Sequence, residues 1–318
     1  MLKRIQLSQL RVGMFIRDME FAIQSDAERF RPFLLTRGED VRRLTTGHVR
    51  SVVIDIAKGA DVAGGAQPTE ITSFETSVLA VFSPGEIGRA KKSIQDIGPH
   101  LRHVLDDARL NAGFADGAAN TAVERIMLET LDNADALIAV AKLKEKDEIT
   151  FLHSLAVSAL MIAFARALGH NEDEVRVLGL GGLVHDLGKM AVPGEILGKS
   201  GKLTAEEMDL IRAHPQKGFE MVAKSGAAPA EVLDICRFHH ERYDGSGYPH
   251  RLSGKKIPYV ARVAAICDVY EALTTIRPYK RAYSQSEAIN LMMNSPGHFD
   301  QPLLSAFISK MIISGTLH

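Results

Sequence analysis

Between Phe151 and Leu273, ionisable side chains recur inside segments that are otherwise apolar. They are His153 in FLHSLAVSALMIAFARALG, His185 and Asp186 in LGLGGLVHDLGK, His214 in IRAHPQKG, His239 and His240 in CRFHHERYDGSGYP, and Asp268 in ARVAAICDVYEALTT. Each lies at or near a helical run, so a chain that buries the apolar faces buries these groups with them. Burying them is costly unless they are paired or ligate metal. The chain is thereby constrained to a fold in which several helices deliver polar positions to one shared interior. Any one of these histidines alone reads as a hydrogen-bonded structural residue. Five histidines and two aspartates together are enough donors for two ions, with water completing the shells.

His185 and Asp186 are adjacent at the end of an apolar helical run that Gly188 breaks. Neighbouring helical side chains diverge by about 100°, so such a pair grips one ion from two sides and leaves a carboxylate oxygen free to reach another. Asp268 is flanked by Ala264, Ala265, Ile266, Cys267 and Val269. It is expected to be buried and to need a strong partner, either a metal or an arginine such as Arg262 or Arg277. Glu241 and Asp244 are expected to orient His239 and His240, since metal-bound imidazoles commonly need a second partner.

HDLGK, then HP, then HHERYDGSGYP, then an Asp with RPYK nine to twelve residues on, resembles the HD-GYP family of bacterial cyclic di-GMP phosphodiesterases, a branch of the HD metallohydrolases. The likeness covers roughly residues 120 to 318. QLSQLRVGMFI and SVVIDIAKG are similar, more loosely, to the domain of unknown function often placed before such modules. The resemblance implies that His153, His185, Asp186 and Asp268 hold one metal, and that a bridging Asp186 with His214, His239 and His240 holds the other. Imidazole and carboxylate without thiolate suit iron or manganese, with cobalt or nickel as alternatives, better than structural zinc. It also implies that Lys189 contacts the scissile phosphate, that Arg277 and Lys280 bind substrate, and that Gly247, Tyr248 and Pro249 line the rim of the site. On composition alone, Lys189 reads equally as a solvated lysine, RPYKR as a helix-end basic patch, and the GYP segment as a tight turn.

The implied activity is hydrolysis of cyclic di-GMP to pGpG, and further to GMP if a second cleavage follows, by a hydroxide bridging two ions about 3.5–4 Å apart, with Asp186 and Lys189 as the catalytic residues. No GxSxG, Walker loop or reactive-cysteine setting offers another nucleophile. Alternatives are another cyclic dinucleotide as substrate, or a cyclic di-GMP receptor that docks GGDEF-domain partners through the GYP loop. Some family members hold a third ion through a Glu one turn before the residue matching His153. Here that position is Ile149, with Glu148 rotated about 100° away. The expectation is a two-metal centre that accumulates pGpG.

The remainder sets the frame. With 318 residues, 46% hydrophobic and 24% charged, the chain has material for two globular domains. A net charge of −1 gives no global pull on a nucleic-acid polymer or an anionic membrane. Cys236 and Cys267 read as buried free thiols, and no window approaches the ~18 continuous apolar residues of a membrane span, so the expected location is cytoplasmic. A homodimer is compatible with all of this. The expected class is α+β, with a small β-containing regulatory or oligomerising domain over 1–115 and an all-α HD-type domain over 116–318. In the first, Arg4–Leu7, Gly13–Arg17 and Ser51–Ile56 read as strands and 39–46 as a short helix. Ser83 and Glu86 form a capping box, Gly98-Pro99 kinks or splits the run that follows, and 111–120 reads as a linker. Ala122–Lys144 reads as one helix with Ile126, Leu128, Leu131, Ala134, Leu137 and Val140 facing the core. Helices are then expected over 149–169, 173–186, 204–224, 229–240, 258–273, 284–294 and 300–314.

Overall fold

The computed structural model describes residues 2–21, 32–46, 49–61, 78, 81–110, 114, 116–142, 149–199, 201–275, 282–314 and 317. Its contacts divide into two compact units, Met1–Lys92 and Ser93–His318. The expected α+β organisation is the one found.

The first unit is built on an antiparallel sheet of β1 (Leu2–Gln6), β2 (Phe15–Phe21), β3 (Phe33–Leu34) and β4 (Val49–Asp55), in the order β1-β4-β2-β3. The register sets Ile5 beside Val52, and Val52 beside Met19. Alternation then puts Ile5, Ile16, Val52 and Ile54 in one core with Leu10, Met14 and Leu35, against which Val41 and Leu44 of the helix Gly38–Thr46 pack. The three expected strands are present, with the two-residue β3 in addition. The Ser83–Glu86 capping box forms: Ser83 N donates to Glu86 Oε2 at 2.8 Å and Glu86 N to Ser83 Oγ at 3.3 Å. The helix it starts, Pro84–Arg109, runs unbroken through Pro99, and the unit boundary falls inside it.

In the second unit, Asp116–Ala141 replaces the expected linker end and helix, with a break in phase at Asn133 (φ −159°, ψ 79°). Asn133 Oδ1 accepts from Ala136 N at 2.9 Å and so caps the second half. Ile126, Ala134, Leu137 and Val140 are buried as expected. Leu128 and Leu131 are instead 67% and 64% exposed. On a regular helix they lie about 200° and about 140° round from Ile126, so one straight stripe never contained them.

Ile149–Leu168 is the central helix, packed against Asp116–Ala141, Glu172–Val184 and Tyr259–Thr274. Contrary to the sequence expectation, its Phe151–Leu168 stretch is long and apolar enough to cross a membrane. Its place here is the core, with 83% of that stretch buried. Asn171 caps Glu172–Val184, which ends before the His185-Asp186 pair and gives way to a 3-10 turn over Leu187–Ala191. The expected helix 204–224 is two, Ala205–Arg212 and His214–Ala223, parted at Ala213. Pro215 is the cause, having no N–H to continue the first ladder. Ala230–Phe238, Tyr259–Thr274, Gln285–Met293 and Gln301–Phe307 follow, the last continuing as a π-helical turn over Ile308–Ile313. Both cysteines are buried and free.

The opposed placement of Leu137 and Leu128 gives a direct test. Leu137→Ala is expected to cost about 2–5 kcal/mol in chemical denaturation, and Leu128→Ala no more than about 0.5 kcal/mol. Equal losses would show that Leu128 packs in the core as Leu137 does.

Candidate metal centre

Each candidate ligand stands at a place where a helix begins, ends or faces the core. His185 follows the last residue of Glu172–Val184, His214 opens its helix, and His239 follows Ala230–Phe238, while His153 and Asp268 face inward from Ile149–Leu168 and Tyr259–Thr274. The structure brings them into two groups, His153, His185 and Asp186 on one side, and Asp186, His214, His239 and His240 on the other. Asp186 belongs to both and divides its oxygens between them. Oδ2 lies 3.4 Å from His153 Nε2 and 3.5 Å from His185 Nε2, while Oδ1 lies 3.2 Å from His214 Nε2 and 3.7 Å from His239 Nε2. Asp268 Oδ1 joins the first group, 3.2 Å from His153 Nε2 and 3.9 Å from His185 Nε2.

The imidazoles are turned by their other nitrogens. His185 Nδ1 donates to Gly182 O at 2.8 Å, His214 Nδ1 to Ile211 O at 2.7 Å, and His239 Nδ1 to Ile235 O at 3.0 Å and Cys236 O at 3.1 Å. A carbonyl only accepts, so Nδ1 carries a proton in all three, and Nε2 is the nitrogen turned toward Asp186. Ile211 O is free for His214 because Pro215, four residues on, has no amide hydrogen to offer it.

His214 Nε2 and His239 Nε2 come within 3.2 Å of each other beside Asp186 Oδ1. His185 Nε2 and Asp186 Oδ1 are buried without a hydrogen-bond partner. A divalent first-row ion holding N and O donors at about 2.1 Å sets neighbouring donors about 3 Å apart, so these residues fit one ion in each group. Burial is the largest influence on His239 and, opposed by Asp186 and aided by His185 and His214, brings its pKa down to about 4. At neutral pH it is a ready lone-pair donor. On His153 burial works against the charge, but Glu271, Asp186 and Asp268 outweigh it and hold the ring well above the usual histidine range. Asp186 is likewise penalised by burial, yet Lys189, His185 and His153 keep its carboxyl well below the carboxylate range.

Lys189 Nζ is ion-paired to Asp186 Oδ2. It also lines a cavity of about 500 Å³ with His153, His239, His240, Gly247, Tyr248 and Asp268. Tyr248 lies against His240, ring centroids 4.8 Å apart, with the Arg212 guanidinium 5.8 Å over its face. Gly247 has no room for a side chain, because a Cβ there would meet Glu241 Cα and the His240 carbonyl oxygen. Pro249 follows Tyr248 through a cis peptide and is not among the residues lining the cavity. Arg277 and Lys280, like Glu148, lie outside the described residues.

Two expectations change. Glu241 does not touch the histidines; it accepts from His250 N at 2.7 Å and Leu252 N at 3.0 Å and so shapes the loop after Tyr248. Asp244 accepts from Ser246 N and Oγ. Carbonyls at helix ends had already taken the orienting role. The carboxylate that does orient an imidazole is Glu271, Oε2 to His153 Nδ1 at 2.5 Å. It was legible as the residue one turn after Asp268, hence on the same helix face. Arg262 is paired with Asp300, which leaves Asp268 to His153 and His185. The Cys236 thiol is pushed up to about 12, chiefly by burial, and is no nucleophile.

Comparison with known proteins gives the family of each domain. A family described as "HD domain" matches residues 131–303, and "Domain of unknown function (DUF3391)" matches residues 2–115. The chain is 39% identical to cyclic di-GMP phosphodiesterase PA4108 of Pseudomonas aeruginosa, over 97% of this chain and 76% of that protein. It is 37% identical to 3'3'-cGAMP-specific phosphodiesterase 1 of Vibrio cholerae, over 54% of this chain and 40% of that one. The solved structure of Bd1817, an HDG"Y"P protein from Bdellovibrio bacteriovorus, covers 99% of this chain and 100% of its own at a TM-score of 0.59 and 21% identity, a likeness of fold.

Because His153 holds its proton at neutral pH in the metal-free protein, an ion taking Nε2 must displace it. Metal uptake at pH 7 is expected to release about one proton and to tighten as pH rises, and both effects should vanish in His153→Ala. Calorimetry in two buffers of different protonation enthalpy counts that proton; a count of zero in the unsubstituted protein would contradict the assignment.

Proposed function

The chain belongs to the HD-GYP family of HD-domain phosphodiesterases, and on that premise we propose that it hydrolyses cyclic di-GMP to the linear dinucleotide pGpG. The observation that carries the reading is one buried carboxylate, Asp186, shared by two clusters of imidazoles, of which His153, His239 and His240 line a nucleotide-sized cavity. His153, His185, Asp186 and Asp268 would hold one divalent ion, and Asp186, His214, His239 and His240 the other. The donor set favours iron, with manganese next. Bound there, two such ions supply the charge that acidifies water and neutralises a phosphoryl group during in-line displacement.

The protein's own groups do the rest. Hydrolysis adds water across one phosphodiester: its oxygen bonds to phosphorus, the P–O3′ bond breaks, and the 3′-oxygen leaves with a proton. Lys189 presents its ammonium to the phosphoryl oxygens from the cavity wall, a point charge tethered beside Asp186. Tyr248, whose pKa burial pushes well up, stays protonated and donates a hydrogen bond to the ligand. Arg277 and Lys280 serve the second phosphate or a base. With Ile149 unable to ligate a third ion, pGpG is expected to accumulate before any GMP. A second substrate, a mixed guanine–adenine cyclic dinucleotide, is favoured by the identity to the Vibrio cholerae enzyme.

The test is anaerobic metal analysis coupled to product chromatography. Asp186→Ala is expected to lose metal and at least about 100-fold in rate, and Lys189→Ala to lose rate by roughly 100-fold with metal retained. Full activity in Asp186→Ala, or metal loss in Lys189→Ala, would sink these roles. A product trace running straight to GMP would contradict the two-ion centre.

A further inference from the structure

Part of the cavity wall is made by two residues that have no task in the hydrolysis described so far. Arg242 follows the His239-His240-Glu241 run, and His298 lies in the turn beyond Gln285–Met293; both line the cavity. Two backbone hydrogen bonds tie their segments together, Tyr243 N to His298 O at 3.0 Å and Asp244 N to Gly297 O at 2.8 Å. The His298 ring stacks flat on buried Phe299, centroids 4.1 Å apart and planes 6° off parallel, so it is held in place. Arg242 Nε is buried without an acceptor. Of the neighbouring Asp244 carboxylate, Oδ1 accepts from Ser246 N and Oγ, and Arg242 acts on that carboxylate as a nearby positive charge. The two segments are thus fixed against each other, with one guanidinium nitrogen left without an acceptor.

Resting on the phosphodiesterase reading, we propose that Arg242 and His298 form a base-recognition site that holds one guanine of the cyclic dinucleotide by its O6 and N7 edge and selects it over adenine. A guanidinium has donors only, in a planar fork. Guanine offers that fork two acceptors, whereas adenine offers N7 and an amino donor that opposes it. His298 adds no attraction for phosphate. Burial, aided by Arg242 and opposed by Asp244 and Asp268, brings its pKa down to about 4, so at neutral pH the ring is uncharged. A phosphate site would gain from a second cation there; a purine edge gains from a neutral donor and acceptor beside the fork.

One consequence separates a base site from a phosphate site. A mixed guanine–adenine cyclic dinucleotide can lie in the cavity only one way round if its guanine must meet Arg242. Water then opens one of its two P–O3′ bonds in preference, giving one of pGpA and pApG in excess. The experiment measures kcat/KM for the diguanine, mixed and diadenine cyclic dinucleotides, the ratio of the two linear products from the mixed one, and bound metal, in the full chain and in Arg242→Ala, Arg242→Lys and His298→Ala. Arg242→Ala is expected to lower kcat/KM for the diguanine substrate about 10- to 100-fold, the diadenine substrate much less, and to even out the product ratio with metal unchanged. Arg242→Lys keeps the charge but not the fork, and should behave like the alanine variant in selectivity. His298→Ala should weaken guanine preference in the same direction. Equal losses on all three substrates with the product ratio intact would overturn the proposal and make Arg242 a phosphate ligand, and metal loss in the variants would overturn it in favour of a structural role. Equilibrium binding of the same nucleotides keeps the two readings apart. Guanine-selective binding lost in Arg242→Ala, in a chain that hydrolyses none of them, supports the site and removes the phosphodiesterase reading; hydrolysis without base preference removes the site alone.

Discussion

Everything in the helical unit answers to the carboxylate of Asp186. It is 2% exposed, and its two oxygens face different pairs of imidazoles. A buried anion of this kind is tolerated only where positive charge is supplied, and here it comes from Lys189 and His153 on one oxygen. The other oxygen faces His214 and His239. The fold is the means by which helices distant in sequence converge on one residue.

Helix ends do most of that positioning. His185, His214 and His239 stand where a helix stops or starts, and there the last carbonyls lack intrahelical partners. The carbonyls of Gly182, Ile211, Ile235 and Cys236 accept the Nδ1 hydrogens, so the bonds made at the helix ends also set which nitrogen of each ring faces Asp186. Close backbone approach helps: a Cβ on Gly188 would run into the His214 carbonyl oxygen and the Gly218 amide, so the turn after Asp186 can reach the His214 helix only as glycine. His153, mid-helix, has no spare carbonyl and takes Glu271 instead.

The ligands were legible in the sequence because each interrupts an apolar run, and burial is what apolar runs announce. The three longer strands were legible for the similar reason that their apolar residues share one face. What misled was treating long runs as single rods. Leu128 and Leu131 were assigned inward against their helical phase, which sets them on the far side from Ile126, and nothing in LETLDNADALI marks Asn133 as an internal cap except the asparagine itself. The split at Ala213 had its signal in Pro215. Glu271 could have been found by helical spacing. Arg242 and His298 could not, since they meet through backbone bonds between two turns that share no pattern.

Pro215 has a consequence of its own. Any other residue there would bring back an amide hydrogen that competes with His214 Nδ1 for the carbonyl of Ile211. Sharing would weaken the bond that keeps the proton on Nδ1, where the proline leaves that bond the carbonyl to itself. The helix break is in that sense a hold on a single proton, and its loss would be visible in the nitrogen resonances of one histidine.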